Sequence, residues 1–222
     1  MILSEKIESG LNQIGIEVPM FFVDEITILL AELVKWNKTY NLTAIKDERD
    51  MVEKHILDSL TVSDFLPDTG SVLDVGSGAG FPVIPLAMLK PGLEFYSIDA
   101  VGKKIRFQNH IKRILKLNNF FPIHGRVEDV GSRNIVGNGF SVIVSRAFSS
   151  IPLFLKLTEG LLAPGGRVIS MKGAEGEQEI SNSEKIISDF GFYISKKRDF
   201  HLPFSGSSRL LVELSQQTSE EE

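Results

Sequence analysis

Three glycines and two carboxylates are spaced in this chain as chemistry would require. The stretch Val72–Pro82 reads VLDVGSGAGFP, an apolar run that ends in Gly76, Gly78 and Gly80. The next apolar run, Leu93–Ile98, ends in Asp99. Glycines at that spacing let a tight turn follow a strand and bring bare backbone against a ligand. A carboxylate at the end of the second strand is placed to accept from a ribose diol, at roughly 1.5–3 kcal/mol per bond to a charged acceptor. Asp74 stands just before the first glycine, where it would repel a pyrophosphate but suit a ligand carrying an ammonium and a sulfonium. Phe81 occupies the place of a dinucleotide fingerprint's third glycine. Together these features favour S-adenosylmethionine over NAD.

Ligands of an open parallel sheet bind beyond the carboxyl ends of its strands. That rule adds Arg126-Val127-Glu128-Asp129, Ser145-Arg146-Ala147-Phe148 and Lys172 to the candidate residues. The Val127 backbone and Glu128 suit the edge of an adenine. The fourth strand end should face the methyl acceptor, and its composition is narrowing. There is no Asp/Asn-Pro-Pro-aromatic tetrapeptide for methylating an exocyclic amine. The chain has no cysteine to attack a pyrimidine carbon. An arginine stands where ribose-oxygen methylation typically wants an aspartate among lysines. An acceptor that is nucleophilic without help remains, and guanine N7 has a lone pair and no proton to lose. Such a site needs positioning rather than a general base. Arg146 is the expected positioning residue, holding guanine O6 or a flanking phosphate and bordering the donor. Lys172 is expected nearby, with Asn37 or Asn41 reaching over.

These residues need elements to hold them. Ser71–Val75, Glu94–Ile98, Phe120–Ile123, Phe140–Val144 and Arg167–Met171 read as strands. Helical patterns at 83–90, 103–117, 151–162 and 177–190 lie between or after them. The alternation predicts an α/β fold, a mostly parallel seven-stranded sheet covered on both faces. The last two strands, 192–197 and 209–214, have no room for a helix between them, so the sheet should close in an antiparallel pair. Before the sheet, helices are expected at 1–18, 22–36 and 50–65, forming an N-terminal cap over residues 1–66. The methyltransferase-type domain then spans 67–222. His55 and Asp58 lie three apart and share a helical face.

Net charge is −5, but its distribution is uneven. Between Lys103 and Lys172 twelve Lys/Arg stand against three acids, Glu128, Asp129 and Glu159. A basic face on an acidic protein points to a nucleic-acid backbone. Lys103, Lys104, Arg106, Lys112 and Arg113, with Lys35, Asn37 and Asn41 of the cap, are the expected RNA contacts. A small-molecule methyltransferase would leave this charge unexplained; a non-catalytic RNA-binding module and an NAD-dependent oxidoreductase are the other rival readings. The four histidines are scattered without metal-ligand spacing, so no metal is expected. No apolar stretch reaches membrane-span length and no signal pattern opens the chain, so a cytoplasmic monomer is the expectation.

Six segments, in order and with consistent gaps, carry a family resemblance. They are Lys35-Trp36-Asn37-Lys38-x-Tyr40-Asn41-Leu42-Thr43, His55-Ile56-Leu57-Asp58-Ser59, Asp74 to Pro82, Lys103/Lys104-x-Arg106-Phe107, Arg126-Val127-Glu128 and Ser145 to Phe148. Together they resemble the bacterial 16S rRNA guanine-N7 methyltransferases, the glucose-inhibited division protein B family. The resemblance implies a class I methyltransferase sheet with a helical cap. It implies S-adenosylmethionine as donor and a guanosine in the decoding-region hairpin of 16S rRNA, naked or in a small-subunit precursor, as substrate. The family's donor contacts map onto Gly76, Phe81, Val127, Glu128 and Arg146. Beyond about Gly173 the resemblance is loose and implies nothing.

Overall fold

The computed structural model describes residues 2–130, 135–146 and 150–217. The cap begins with α1 (Leu3–Ile14), which buries Ile7 and Leu11, and α2 (Phe22–Tyr40), which buries Phe22, Ile26, Leu29, Leu30 and Leu33. The second helix runs four residues past its expected end at Trp36 and stops at Asn41, in the left-handed conformation with φ 48°. The expected third helix is a composite. It opens with α3 (Glu48–Met51), capped by the Asp47 carboxylate, widens into a π-helical stretch (Val52–Leu57), and closes with α4 (Asp58–Leu60). Glu53, His55 and Asp58 are all buried there: Glu53 meets the Phe204 and Ser205 backbone, and His55 and Asp58 both meet Arg146.

The sheet follows: β1 (Gly70–Val75), α5 (Val83–Leu89), β2 (Leu93–Asp99), α6 (Gly102–Ile114), β3 (Phe120–His124), β4 (Phe140–Arg146), α7 (Ile151–Thr158), β5 (Leu162–Lys172), α8 (Gly176–Asp189), β6 (Phe192–His201) and β7 (Ser208–Gln216). Strand order is β3-β2-β1-β4-β5-β7-β6, parallel through β5, with β7 antiparallel to both its neighbours. The order reverses at β1, and ligands are expected at such a switch point. Pro164-Gly165-Gly166 does not precede β5 but bulges out within it: Phe140 pairs with Leu162 and Val142 with Arg167.

On one face a continuous apolar core runs from the cap (Ile7, Leu29, Ile56) into α5 and α6 (Ile84, Phe107). On the other, Leu73, Val75 and Ile143 pack under α7 and α8 through Phe154 and Ile187. The β6–β7 hairpin also grips the cap. Arg198 reaches Asp64 at 2.8 Å, and the Glu53 carboxylate accepts the N–H groups of Phe204 and Ser205 at 2.6 and 2.8 Å. Among the described residues no helix is long and apolar enough to cross a membrane.

Candidate active site

The glycine loop leaves β1 as a tightly held turn. Gly76 and Ser77 both donate to the Ile98 carbonyl of β2, at 2.9 and 3.2 Å. Gly78 has φ +59° and Gly80 +96°, and a Cβ at Gly80 would lie 2.3 Å from the Ile84 side chain. Side chains at these positions would strain the turn. The Asp99 carboxylate fastens the loop from the second strand: Oδ2 accepts the Gly78 N–H at 2.9 Å and Oδ1 the Val101 N–H at 2.8 Å. Lys104 Nζ stands 3.3 Å from the same Oδ2. Gln108, fully buried on α6, adds a second fastening by donating to Ser77 Oγ and to the Gly78 carbonyl, both at 2.8 Å. A cleft of about 150 Å³ opens beside the loop, lined by Gly76, Asp99, Ala100, Val127, Glu128 and Leu157. Val127 is buried and Glu128 exposed, at the start of a 3₁₀ turn, Val127–Asp129.

Asp74 lies beneath this loop, wholly buried, and neither carboxylate oxygen has a hydrogen-bond partner. Burial pushes its pKa well above the usual carboxylate range; Arg146 works against that shift and Asp99 adds to it. A buried carboxylate without a partner either holds a proton or receives a cation. This is the complement of a ligand with an ammonium and a sulfonium, and S-adenosylmethionine fits the residues present.

A second cluster of functional side chains, on the side expected to face the acceptor, is built where the cap meets β4 and β5. β4 runs two residues past its expected end at Val144, so Arg146 is its last residue. Its guanidinium donates to the Lys54 carbonyl at 2.7 Å, lies 3.4 Å from Asp58 Oδ2 and 3.2 Å from His55 Nδ1. The Asp58 carboxylate is shared, since Arg209 of β7 donates to its other oxygen at 3.0 Å. His55 and Asp58 share a helical face as expected, but they meet through Arg146. The alternative partners nearer in sequence, Glu128 and Asp129, do not hold Arg146; the cap does. Burial works against the arginine's charge, while Asp58 and Asp74 favour it.

An arginine can only donate, so His55 Nδ1 accepts and the proton sits on Nε2, which faces Thr43 Oγ1 at 3.0 Å. Burial, aided by the charge of Arg146, brings the His55 pKa down to about 3. The ring stacks on Phe81 with centroids 4.6 Å apart and 7° between planes. Phe81 is 3% exposed; its side chain faces the cap. Lys172, at the end of β5, bonds Glu179 at 2.9 Å. Lys54, His55, Asp58, Arg146, Lys172 and Arg209 line a cavity of about 410 Å³. A larger hollow, about 510 Å³, lies between the 135–140 and 160–164 segments at the amino ends of β4 and β5, away from the ligand edge.

The cap residues expected on RNA divide. Asn37 is 9% exposed and turned inward, accepting the Thr43 N–H at 2.9 Å, so it braces the loop that holds His55 instead of reaching outward. Asn41 is exposed beside a hollow it shares with Lys38 and Lys46. Lys35 is exposed and paired with Glu32 at 3.3 Å. On α6, Lys103 is half-buried and Arg106 and Arg113 are exposed, Arg113 standing 3.2 Å from His110 Nδ1. Lys104 is tied to Asp99, and Lys112 lies over the Phe121 ring at 4.5 Å. Ala147 and Phe148, and the acidic tail Glu220-Glu221-Glu222, lie outside the described residues.

Sequence reasoning missed Gln108, Glu179 and Arg209. Gln108 had a signal, a polar residue at a core-facing position between Ile105 and Ile111. Arg209 had none, because its partner Asp58 is 151 residues away, and Glu179 had none, because it reads as one of several acids on an exposed helix.

The model of the rRNA small subunit methyltransferase G family, GidB, matches residues 23–202. The chain belongs to this family. A Ribosomal RNA small subunit methyltransferase G of Geobacter metallireducens is 44% identical over 203 residues, covering 91% of each chain. One from Methylobacillus flagellatus is 43% identical over 178 residues, 80% of this chain and 84% of that one. As a GidB protein the chain is an S-adenosylmethionine-dependent methyltransferase. Among solved structures, a SAM-dependent methyltransferase from Aquifex aeolicus superposes with TM-score 0.55 at 19% identity, over 75% of this chain and 93% of that one. The fibrillarin pre-rRNA processing protein of Methanococcus jannaschii gives TM-score 0.55 at 17% identity, over 69% and 70%. These likenesses establish the class I methyltransferase fold. Among the described residues no group of three or more His, Asp or Glu is arranged to hold a metal ion.

Proposed function

We propose that this GidB protein transfers a methyl group from S-adenosylmethionine to N7 of a guanosine in the decoding-region hairpin of 16S rRNA. The observation that carries the choice of acceptor is the cavity of Lys54, His55, Asp58, Arg146, Lys172 and Arg209. It is rich in cations and has no group poised as a base. His55, with a pKa near 3, is engaged on both ring nitrogens, and Asp58 lies between two arginines. N7 asks for no base. Its lone pair would form the new N–C bond as the methyl–sulfur bond breaks, that electron pair leaving on sulfur as S-adenosylhomocysteine, and the product base carries a positive charge.

When bound, the donor supplies an electrophilic methyl on a sulfonium. Gly76 to Gly80 would lie along it, Asp99 would take the ribose, and Val127 and Glu128 the adenine. Asp74 would place negative charge near the ammonium and sulfonium. Arg146 would orient the guanosine, and its fixed position costs no reorganisation at the moment of transfer. Lys103, Arg106 and Arg113 would meet phosphates outside the cleft, with Asn41 and Lys35 on the cap. Small subunits or 16S rRNA from cells lacking the protein, incubated with it and S-adenosylmethionine, should gain 7-methylguanosine. Nucleoside analysis that found the methyl on another atom, or none on either RNA, would overturn the reading.

A further inference from the structure

The end of β5 and the start of α7 converge on one carboxylate. Glu179, in the first turn of α8, accepts the Ile151 N–H at 2.7 Å and the Lys172 ammonium at 2.9 Å on the same oxygen, Oε1. Ile151 is the first residue of α7. Glu179 thus supplies a capping acceptor to the N-terminus of α7 from another helix. A negative charge at that end also suits the helix dipole.

One partner of Glu179, Lys172, lines the acceptor cavity. Lys172 follows Met171, which is paired in register with Arg146. The packing of α8 makes the reach possible. A Cβ on Gly176 would stand 2.7 Å from Lys172 Cβ, so this first residue of α8 lies against the lysine, and Glu179 comes one turn later. The end of β5, which borders the cavity, is thereby tied through Glu179 to the start of α7.

We infer that Glu179 is a positioning residue for methyl transfer, holding Lys172 against the start of α7 at the edge of the acceptor cavity. The inference rests on the assignment of that cavity to the guanosine. The donor cleft lies on the other side of β4, at Gly76, Asp99 and Val127, and Glu179 touches none of it. Its loss should therefore act on turnover and leave donor affinity alone.

The test begins with wild-type methyl transfer to small-subunit RNA, because absence of that activity would refute the substrate assignment and not the role of Glu179. Given an active wild type, E179A should lower kcat by about ten- to a hundred-fold, as misplacement of a reacting group does. Donor affinity by calorimetry should stay within about threefold. E179Q, whose amide oxygen can still accept both bonds, should recover most of the loss. A double-mutant cycle with K172M should be non-additive, the double variant being little worse than K172M alone. Should E179A fail to fold, E179D, which keeps the charge but withdraws it by one methylene, should show the same kcat loss. Wild-type kcat in E179A or E179D would overturn the proposal. So would a loss of kcat that follows the fall in Tm, vanishes at lower temperature, or is fully additive with K172M.

Discussion

Phe81 leaves the glycine loop and lies flat on His55 of the cap, ring centroids 4.6 Å apart and planes 7° from parallel. The glycine loop and the cavity under the cap are thus joined by one aromatic contact, with the Arg146 guanidinium 5.7 Å from the Phe81 ring centroid. The contact needs a neutral imidazole, because protonating Nδ1 would turn it towards a guanidinium as a second donor.

That requirement makes stability pH-dependent. The folded-state pKa of His55 is depressed from 6.5 to about 3. As pH falls below 6.5 the unfolded chain binds a proton that the folded chain refuses. The stabilisation is full above pH 6.5 and is lost progressively down to about pH 3, at about 1.4 kcal/mol per pH unit over most of that window. Urea unfolding from pH 6.5 to 4.5 should fall less steeply for H55Q than for wild type, by about that slope. Equal slopes would show that His55 titrates normally in the fold.

Arg146 spans three acceptors, the Lys54 carbonyl, Asp58 and His55 Nδ1. R146A should lose most methyl transfer, and R146K should recover only part, since a point charge replaces a planar fork. Arg209 still holds Asp58, so R146A should fold. Single-turnover transfer and donor affinity, measured separately, check this. Transfer intact at saturating donor would make Arg146 purely structural.

Asp99 closes the glycine loop through two backbone N–H groups and a lysine. D99A removes these bonds together with the expected ribose contact. Donor affinity by calorimetry should fall by one to two orders of magnitude, about 1.4–2.8 kcal/mol. An unchanged Kd would remove Asp99 from the donor site.

The α6 cations differ in their commitments, and RNA binding should expose the difference. Replacing Lys103, Arg106 or Arg113 should flatten the slope of log affinity against log salt by roughly 0.7–0.9 each. K104A and K112A should flatten it less, because Lys104 serves Asp99 and Lys112 lies on Phe121. Filter binding across a salt series decides it. A wild-type slope near zero would make the whole face ordinary solvated surface.

What the sequence determined by itself was local. The glycine turn, Asp99 at the end of β2, the alternation of strands and helices and the closing antiparallel pair all follow from spacing and periodicity over a few residues. These are constraints on φ/ψ and on which face is apolar, and short stretches carry them. Two boundaries depart from the periodicity: tertiary packing, which buries Asn37, carries α2 into its polar segment as far as Tyr40, and β5 absorbs Pro164-Gly165-Gly166 as a bulge. Only the tertiary structure decided the partners of the charged residues. Arg146 meets Asp58 from eighty-eight residues away, Arg209 meets it from a hundred and fifty-one, and Glu179 caps a helix twenty-eight residues upstream. A buried charge takes whichever opposite charge the packed elements bring within about 3 Å, because leaving it unpaired costs several kcal/mol. That choice is made by the docking of cap, sheet and hairpin, and no spacing along the chain encodes it.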